Sequence, residues 1–301
     1  VTSTELLATA PPAVPDLRAG SVTTGRRARN ALATTLVCLA VLAALVPLAF
    51  VLGYVVVKGA GALSLDFLTR DIPTTRSIGP GMGPAVLGTL MITGAATVIS
   101  VPLGILAAVY LSEQGTHDRL AGALRLMADV MAGVPSIVMG LFVYTVWVLR
   151  FGTSGLAGAL ALACLMLPIV IRSAEGMLRL VPVELREASF ALGASRSRTV
   201  LAVVMPAALP GITSGCLLAV ARAAGETAPV LFTIGGVQSL NPNLFRGANT
   251  TLSAQIFANA QQPYPGAQGR AWGAALTLIG LVLVLTVVAR AVSSRFAERQ
   301  R

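Results

Sequence analysis

Few side chains in this sequence can do chemistry, and two of them stand where charge is costly. Arg222 and Glu226 lie four residues apart inside the apolar stretch 207–235. At that spacing they share one face of a helix and can neutralise each other. A charge at bilayer depth costs at least about 2.5–3.5 kcal/mol, so it needs a partner or a task. Two readings are open. The pair can be a structural device that lets the segment insert. Alternatively, Arg222 offers its planar fork of donors to a tetrahedral oxyanion, and Glu226 holds the arginine between events or repels the anion so that it leaves. Gly225 and Pro229 bracket Glu226, and Thr227 follows it. Pro229 has no amide donor and frees a carbonyl, which predicts a kink that either lines a cavity or packs among neighbours. Ser136 follows Pro135 and offers a second hydroxyl to a polar pathway, although Gly133 and Gly140 suit close helix packing equally well.

Other chemistry has little to work with. His117 is the single histidine and Lys58 the single lysine. No metal ligands are assigned and no catalytic residues are proposed. Lys58 follows three valines and precedes Gly59, so it does not complete the Gly-Lys-Ser/Thr of a nucleotide-binding loop. His117 and Asp118 read as a solvated pair, and Asp129 as a carboxylate that snorkels or pairs with Arg125 one turn earlier. Cys38, Cys164 and Cys216 each lie in an apolar run and read as small buried residues, not a disulfide framework.

The elements that must position these residues cross a membrane. Of 301 residues, 55% are apolar and only 11% charged, against roughly a quarter charged in soluble domains. Six apolar runs are long enough to span as helices: 31–57, 83–111, 126–149, 156–172, 207–235 and 271–290. Residues 1–30 read as a disordered polar tail, 31–292 as the transmembrane domain with the loop 174–206 outside the membrane, and 293–301 as a second tail. The first run is too long for a signal-peptide core and reads as an uncleaved span. Placing the N-terminus inside puts fifteen of the 22 basic residues on the inner side and six on the outer, with Arg222 in a span. Both termini are then cytoplasmic, and the net charge of +10 is a topology signal with no support for a nucleic-acid partner. The outer segments 58–82 and 236–270 are solvated connectors or a docking surface, and Ser253–Phe257 is suited to a short helix.

The loop between spans four and five is the most informative. Pro182 is expected at the first position of a helix, with Glu184 and Glu187 in its first turns where the dipole favours acids. Leu185, Ala188, Ser189 and Leu192 make one small-to-apolar stripe, and Gly193 ends it. Such a helix can lie in a partner's groove or rest on its own lipid surface.

Glu187-Ala188-Ser189, Gly193 six residues after the glutamate, and Val203, Met205 and Pro206 resemble the EAA loop of ABC-importer permeases, with Ser189, Val203 and Met205 as mild departures. Gly133-Val134-Pro135-Ser136-Ile137-Val138-Met139-Gly140 and Arg222-Ala223-Ala224-Gly225-Glu226-Thr227-Ala228-Pro229 resemble two segments of phosphate-specific (Pst) permeases, and Tyr110–Glu113 and Ser253–Phe257 extend the likeness over roughly residues 30–292. The resemblance implies an all-α integral membrane fold of six transmembrane helices, the small MetI-like (type I) importer permease. It implies an ATP-driven importer of phosphate in the bacterial cytoplasmic membrane. The partners would be a second homologous permease (PstC-like), two copies of an ATPase (PstB-like) and an extracytoplasmic phosphate-binding protein (PstS-like). The chain itself would hold no cofactor, ATP and Mg being on the ATPase. In that frame Arg222, Glu226, Thr227 and Ser136 belong to the substrate pathway, and Glu187, Ala188, Ser189, Gly193 and Pro206 to ATPase coupling. An importer of sulfate or molybdate and an ion-coupled secondary transporter stand as alternatives.

Overall fold

The computed structural model describes residues 24–74, 76, 77, 79–113 and 118–298. His117, residues 1–23 of the expected tail and residues 299–301 lie outside the described residues. Every regular element among them is helical, as expected. In chain order they are α1 (Thr24–Gly59), α2 (Leu65–Thr69), α3 (Gly83–Glu113), α4 (Arg119–Gly133), α5 (Ser136–Val143), α6 (Leu149–Phe151) and α7 (Gly155–Arg179). Then come α8 (Val183–Ala191), α9 (Arg196–Thr199), α10 (Met205–Gly225), α11 (Ala228–Thr233), α12 (Leu252–Ala260) and α13 (Pro265–Glu298). The first unit, up to Gly53, is the greater part of α1, a continuous helix that begins at Thr24. The rest of the chain is the packed body.

Among the described residues five stretches are long and apolar enough to cross a bilayer: Gly25–Ala62, Gly83–Glu113, Gly155–Arg179, Arg196–Gly225 and Pro265–Ala291. A sixth crossing exists if Arg119–Gly133 and Ser136–Phe151, bent by 105° at their junction, form one broken span. The run 126–149 is therefore not one straight helix. Pro135 lacks an amide donor and disfavours helical geometry at the residue before it. Val134 (ψ 130°) and Pro135 (ψ 137°) are both extended, and the helix restarts at Ser136 in a new direction. The run 207–235 is interrupted too, as described below. The fourth helix runs past the expected end at 172 to Arg179, because its last two turns carry charged residues that find partners.

Helix α7 lies between α3 and α10 and is the centre of the core. Ile92, Ala96 and Ala108 of α3, Leu162, Met166, Val170 and Leu178 of α7, and Ile212, Cys216 and Ala219 of α10 form one buried cluster. Without a hydrophobic drive between helices in lipid, close approach over small residues supplies the attraction. Gly104 lies against Val170, where a Cβ would come within 2.6 Å of its side chain, and Gly215 lies as tightly against Ser173. Helix α13 packs on α10 and α12. A second cluster, around Phe67, Met82, Ala85, Leu252 and Ala274, fixes the connectors to α3 and α13. Those two long connectors are bonded together: Ile72 N–H donates to the Gln238 carbonyl (2.9 Å) and Leu240 N–H to Asp71 Oδ1 (2.9 Å). The short helix expected at Ser253–Phe257 is α12, capped by the Thr251 hydroxyl, which accepts from Ala254 N–H.

Candidate translocation and coupling sites

Arg222 occupies the last turn of α10, and that helix stops at Gly225. Glu226 closes it, its N–H donating to the Ala223 carbonyl (3.2 Å) while its own backbone turns extended (ψ 130°). Thr227 precedes α11, whose second residue is Pro229. The kink expected from Pro229 is thus a full interruption. A proline early in a helix loses no bond there, so it favours restarting over continuing. The Glu226 carbonyl, left without a helical partner where the two helices part, accepts from the hydroxyl of Ser253 on α12 (2.9 Å), a side chain that is itself buried. This carbonyl at the break is therefore satisfied internally, as irregular backbone at membrane depth must be.

Arg222 and Glu226 form an ion pair with Nε to Oε1 at 3.6 Å, longer than hydrogen-bond distance. The arginine side chain is 68% exposed and the glutamate 20%. The carboxylate is thus held at the break while the guanidinium reaches outward from it. Thr227 and Ser136 are both half-buried. The two segments that carried the sequence likeness meet: α5 packs on α11, with Gly140 so close to Pro229 that a Cβ would lie 2.6 Å from the proline Cα. Two interrupted helices are therefore locked together just beyond their breaks.

The coupling candidates sit on a different part of the molecule. Helix α8 begins at Val183, with Pro182 as its N-cap (φ −54°, ψ 140°), one residue earlier than the expected role. Gly193 adopts φ +78°. Its N–H donates to Phe190 O (2.9 Å) and that of Ala194 to Ser189 O (3.1 Å), the paired closure that needs a left-handed residue. Glu187 and Ala188 are exposed. Ser189 is half-buried, and its hydroxyl is bonded to that of Thr199 (2.9 Å), which is buried. Pro206 lies in the first turn of α10, after a π turn over Val200–Val204 that keeps Arg196–Gly225 one continuous helix. No residue of α8 is buried. Leu185, Phe190 and Leu192 are exposed, together with Leu180 and Val183 just before them.

Two carboxylates of the site region were not singled out by sequence reasoning. Glu175 is buried, with Arg125 Nε at 2.9 Å, Arg179 Nη2 at 2.7 Å and Arg172 Nη1 at 3.3 Å. Arg125 also donates to the Leu111 carbonyl (2.6 Å), tying α4 to the ends of α3 and α7. Asp129 pairs with Arg172, not with Arg125, because Arg125 is committed to Glu175 on the neighbouring helix. The signal was present in Arg172, Glu175 and Arg179 at helical spacing, but the third partner comes from another helix. The other carboxylate, Glu113, ends α3 and accepts from Arg186 Nη1 (2.5 Å) and Arg196 Nε (3.3 Å). Asp118 is not merely solvated: it caps α4, accepting from Leu120 N–H (3.0 Å) and from the Tyr110 hydroxyl (2.5 Å). The Tyr110 hydrogen bond, then that of Leu120, holds its carboxyl below the usual carboxylate range.

Residues 100–298 match the family of binding-protein-dependent transport system inner membrane components. The phosphate transport system permease protein PstA 1 of Mycobacterium tuberculosis is 43% identical over 93% of this chain and 93% of its own length. PstA of Yersinia pestis is 41% identical over 90% of this chain and 92% of its own. Among solved structures, a bacterial alginate ABC transporter overlays with a TM-score of 0.64 at 14% identity, over 89% of this chain and 96% of that one. The inward-facing MetNI methionine transporter gives 0.51 at 20% identity over 72% and 93%. At those identities the structures speak for the fold alone.

Proposed function

The chain belongs to the family of binding-protein-dependent inner membrane transport components, and from that premise we propose how its residues divide the work of importing phosphate. It is a permease subunit of an ABC importer, translocates inorganic phosphate and is not itself an enzyme. Its relatives' shared designation removes the sulfate, molybdate and ion-coupled alternatives. In this reading both termini and α8 face the cytoplasm. A homologous PstC-like permease completes the pathway, a pair of PstB-like ATPases carries ATP and Mg, and a PstS-like protein delivers phosphate from outside.

The observation that carries the site assignment is the interrupted helix at Glu226, with an exposed arginine one turn before it. A guanidinium so placed can donate to a phosphate oxygen when the pathway opens. The nearby carboxylate competes for the same donors and keeps binding weak enough for release. Ser136 and Thr227, the polar residues at the two breaks, line the route. On the other loop the exposed Glu187–Ala188 face of α8 docks into the ATPase. Gly193 sets the angle at which the chain leaves that helix, and Ser189 braces it against Thr199.

Uptake of labelled phosphate at micromolar concentration tests the division, in cells lacking the chain and complemented with variants checked for membrane level. Arg222→Ala removes a charge-assisted contact worth about 1.5–3 kcal/mol, so uptake falls about tenfold or more. Glu187→Arg combined with Gly193→Asp abolishes uptake by loss of docking. Normal uptake by Arg222→Ala makes the pair structural, and normal uptake by the double variant removes α8 from coupling.

A further inference from the structure

We propose that α3 is the rod that carries motion from the α8 loop to the break at Glu226, gripped by Glu113 at one end and by Thr89 at the other. The proposal rests on α8 being the ATPase-docking helix. No residue of α8 is buried, so apolar packing contributes little to fastening it to the spans. Besides the Ser189–Thr199 hydrogen bond (2.9 Å), its fastening is ionic. Both oxygens of the Glu113 carboxylate are engaged, one by Arg186 of α8 and the other by Arg196 of α9, so the two sides of Gly193 meet at a single group. Arg196 also donates to the Glu113 backbone carbonyl, and Arg186 Nη2 to the Leu178 carbonyl of α7 (3.2 Å). Glu113 and Arg186 side chains are only 16% and 20% exposed, so this contact is far less screened than a surface pair; Arg196, at 58%, adds less.

From Glu113 the helix is continuous through Pro102 to its other end. Residues 89–113 span about 36 Å at 1.5 Å per residue. At that end the Thr250 carbonyl lies on Gly88, where a Cβ would approach it to 1.9 Å. The hydroxyl of Thr89 accepts from Leu252 N–H (2.9 Å) while donating to Ala85 O (2.8 Å). Ser253, the next residue, holds the Glu226 carbonyl. One helix and a short chain of buried hydrogen bonds thus connect the proposed docking loop to the backbone that positions Arg222 and Glu226. A helix pulled at Glu113 moves Leu252 and Ser253, and with them the break.

The test uses the assembled transporter with its binding protein in proteoliposomes, reading phosphate moved per ATP hydrolysed. Glu113→Gln leaves the outward face of α8 unaltered. The ATPase subunit stays bound, hydrolysis continues, and the ratio falls about tenfold. Thr89→Val lowers the same ratio and Thr89→Ser restores it. A ratio within about twofold of wild type in both Glu113→Gln and Thr89→Val overturns the proposal, as does a parallel fall of transport and hydrolysis with the ratio unchanged. Loss of the ATPase subunit from Glu113→Gln overturns it too, since Glu113 would then shape the docking surface. The docking reading has its own arm: if Glu187→Arg with Gly193→Asp retains the ATPase subunit, that reading fails whatever Glu113→Gln does.

Discussion

Replacing Glu175 by Gln removes a buried charge that lies outside the proposed pathway. The side chain is 4% exposed and faces Arg125, 17% exposed, across a helix–helix contact. Arg172 and Arg179, 38% and 52% exposed, complete the cluster. Breaking a buried pair from one side costs about 3–5 kcal/mol because the other charge is left behind. The two more exposed arms are screened and contribute at most about 1 kcal/mol each. The glutamine keeps one acceptor oxygen, so shape is preserved and the loss is electrostatic. The apparent melting temperature of the purified transporter is expected to fall on the order of 10 °C. Arg179→Gln, touching the same carboxylate from its exposed side, lowers it by only about 2 °C. Combining Glu175→Gln with Arg125→Gln recovers part of the loss, because no buried cation then faces a neutral side chain, and a double-mutant cycle reads the coupling directly. If Arg179→Gln destabilises as much as Glu175→Gln, or if the double change is simply additive, burial is not what sets the energy and the reasoning fails.

Three further outcomes follow from other parts of the fold. Gly140→Ala brings a methyl against the Pro229 backbone and is expected to cost about 1–3 kcal/mol of thermal stability, whereas Gly133→Ala, with open space around it, costs little; equal effects remove the significance of the α5–α11 contact. At Gly193 (φ +78°) alanine strains the turn by about 1–2 kcal/mol and asparagine by less, so phosphate uptake should rank Gly, Asn, Ala, and an alanine variant with full uptake contradicts the role of the turn. Asp118, with its carboxyl held low by Tyr110, stabilises the fold above the ordinary carboxylate value and loses that contribution as pH falls through its lowered one. Melting curves between pH 5 and 3 should therefore show a loss that Asp118→Asn lacks, and identical acid profiles would assign the loss to other groups.

Much of the fold was legible in the sequence because apolar length reports membrane-spanning helices directly. Pro229 announced an interruption, since a missing amide donor is a local property. Its depth was not legible: whether a proline bends a helix or ends it depends on what satisfies the backbone groups at the break, and for the Glu226 carbonyl that is Ser253, 27 residues away. The same holds for Asp129, whose partner was sought on its own helix and found on another. Glu113 passed unnoticed as the end of a familiar tetrapeptide, because its two arginines lie 73 and 83 residues further on. Helical spacing reveals partners within a segment, and the charges that join segments wait on the packing.

The exposed apolar residues around α8 also bear, under the docking proposed above, on how long an unassembled copy survives. Leu180, Val183, Leu185, Phe190 and Leu192 stand exposed on a loop outside the membrane-spanning helices. In a copy without an ATPase on that loop these side chains stay open to water, and exposed apolar groups are the feature by which chaperones and proteases sort incomplete chains. The docking proposed for α8 would cover part of them, so a copy left unassembled is expected to turn over faster, and pulse-chase turnover with and without the ATPase subunit measures how strongly.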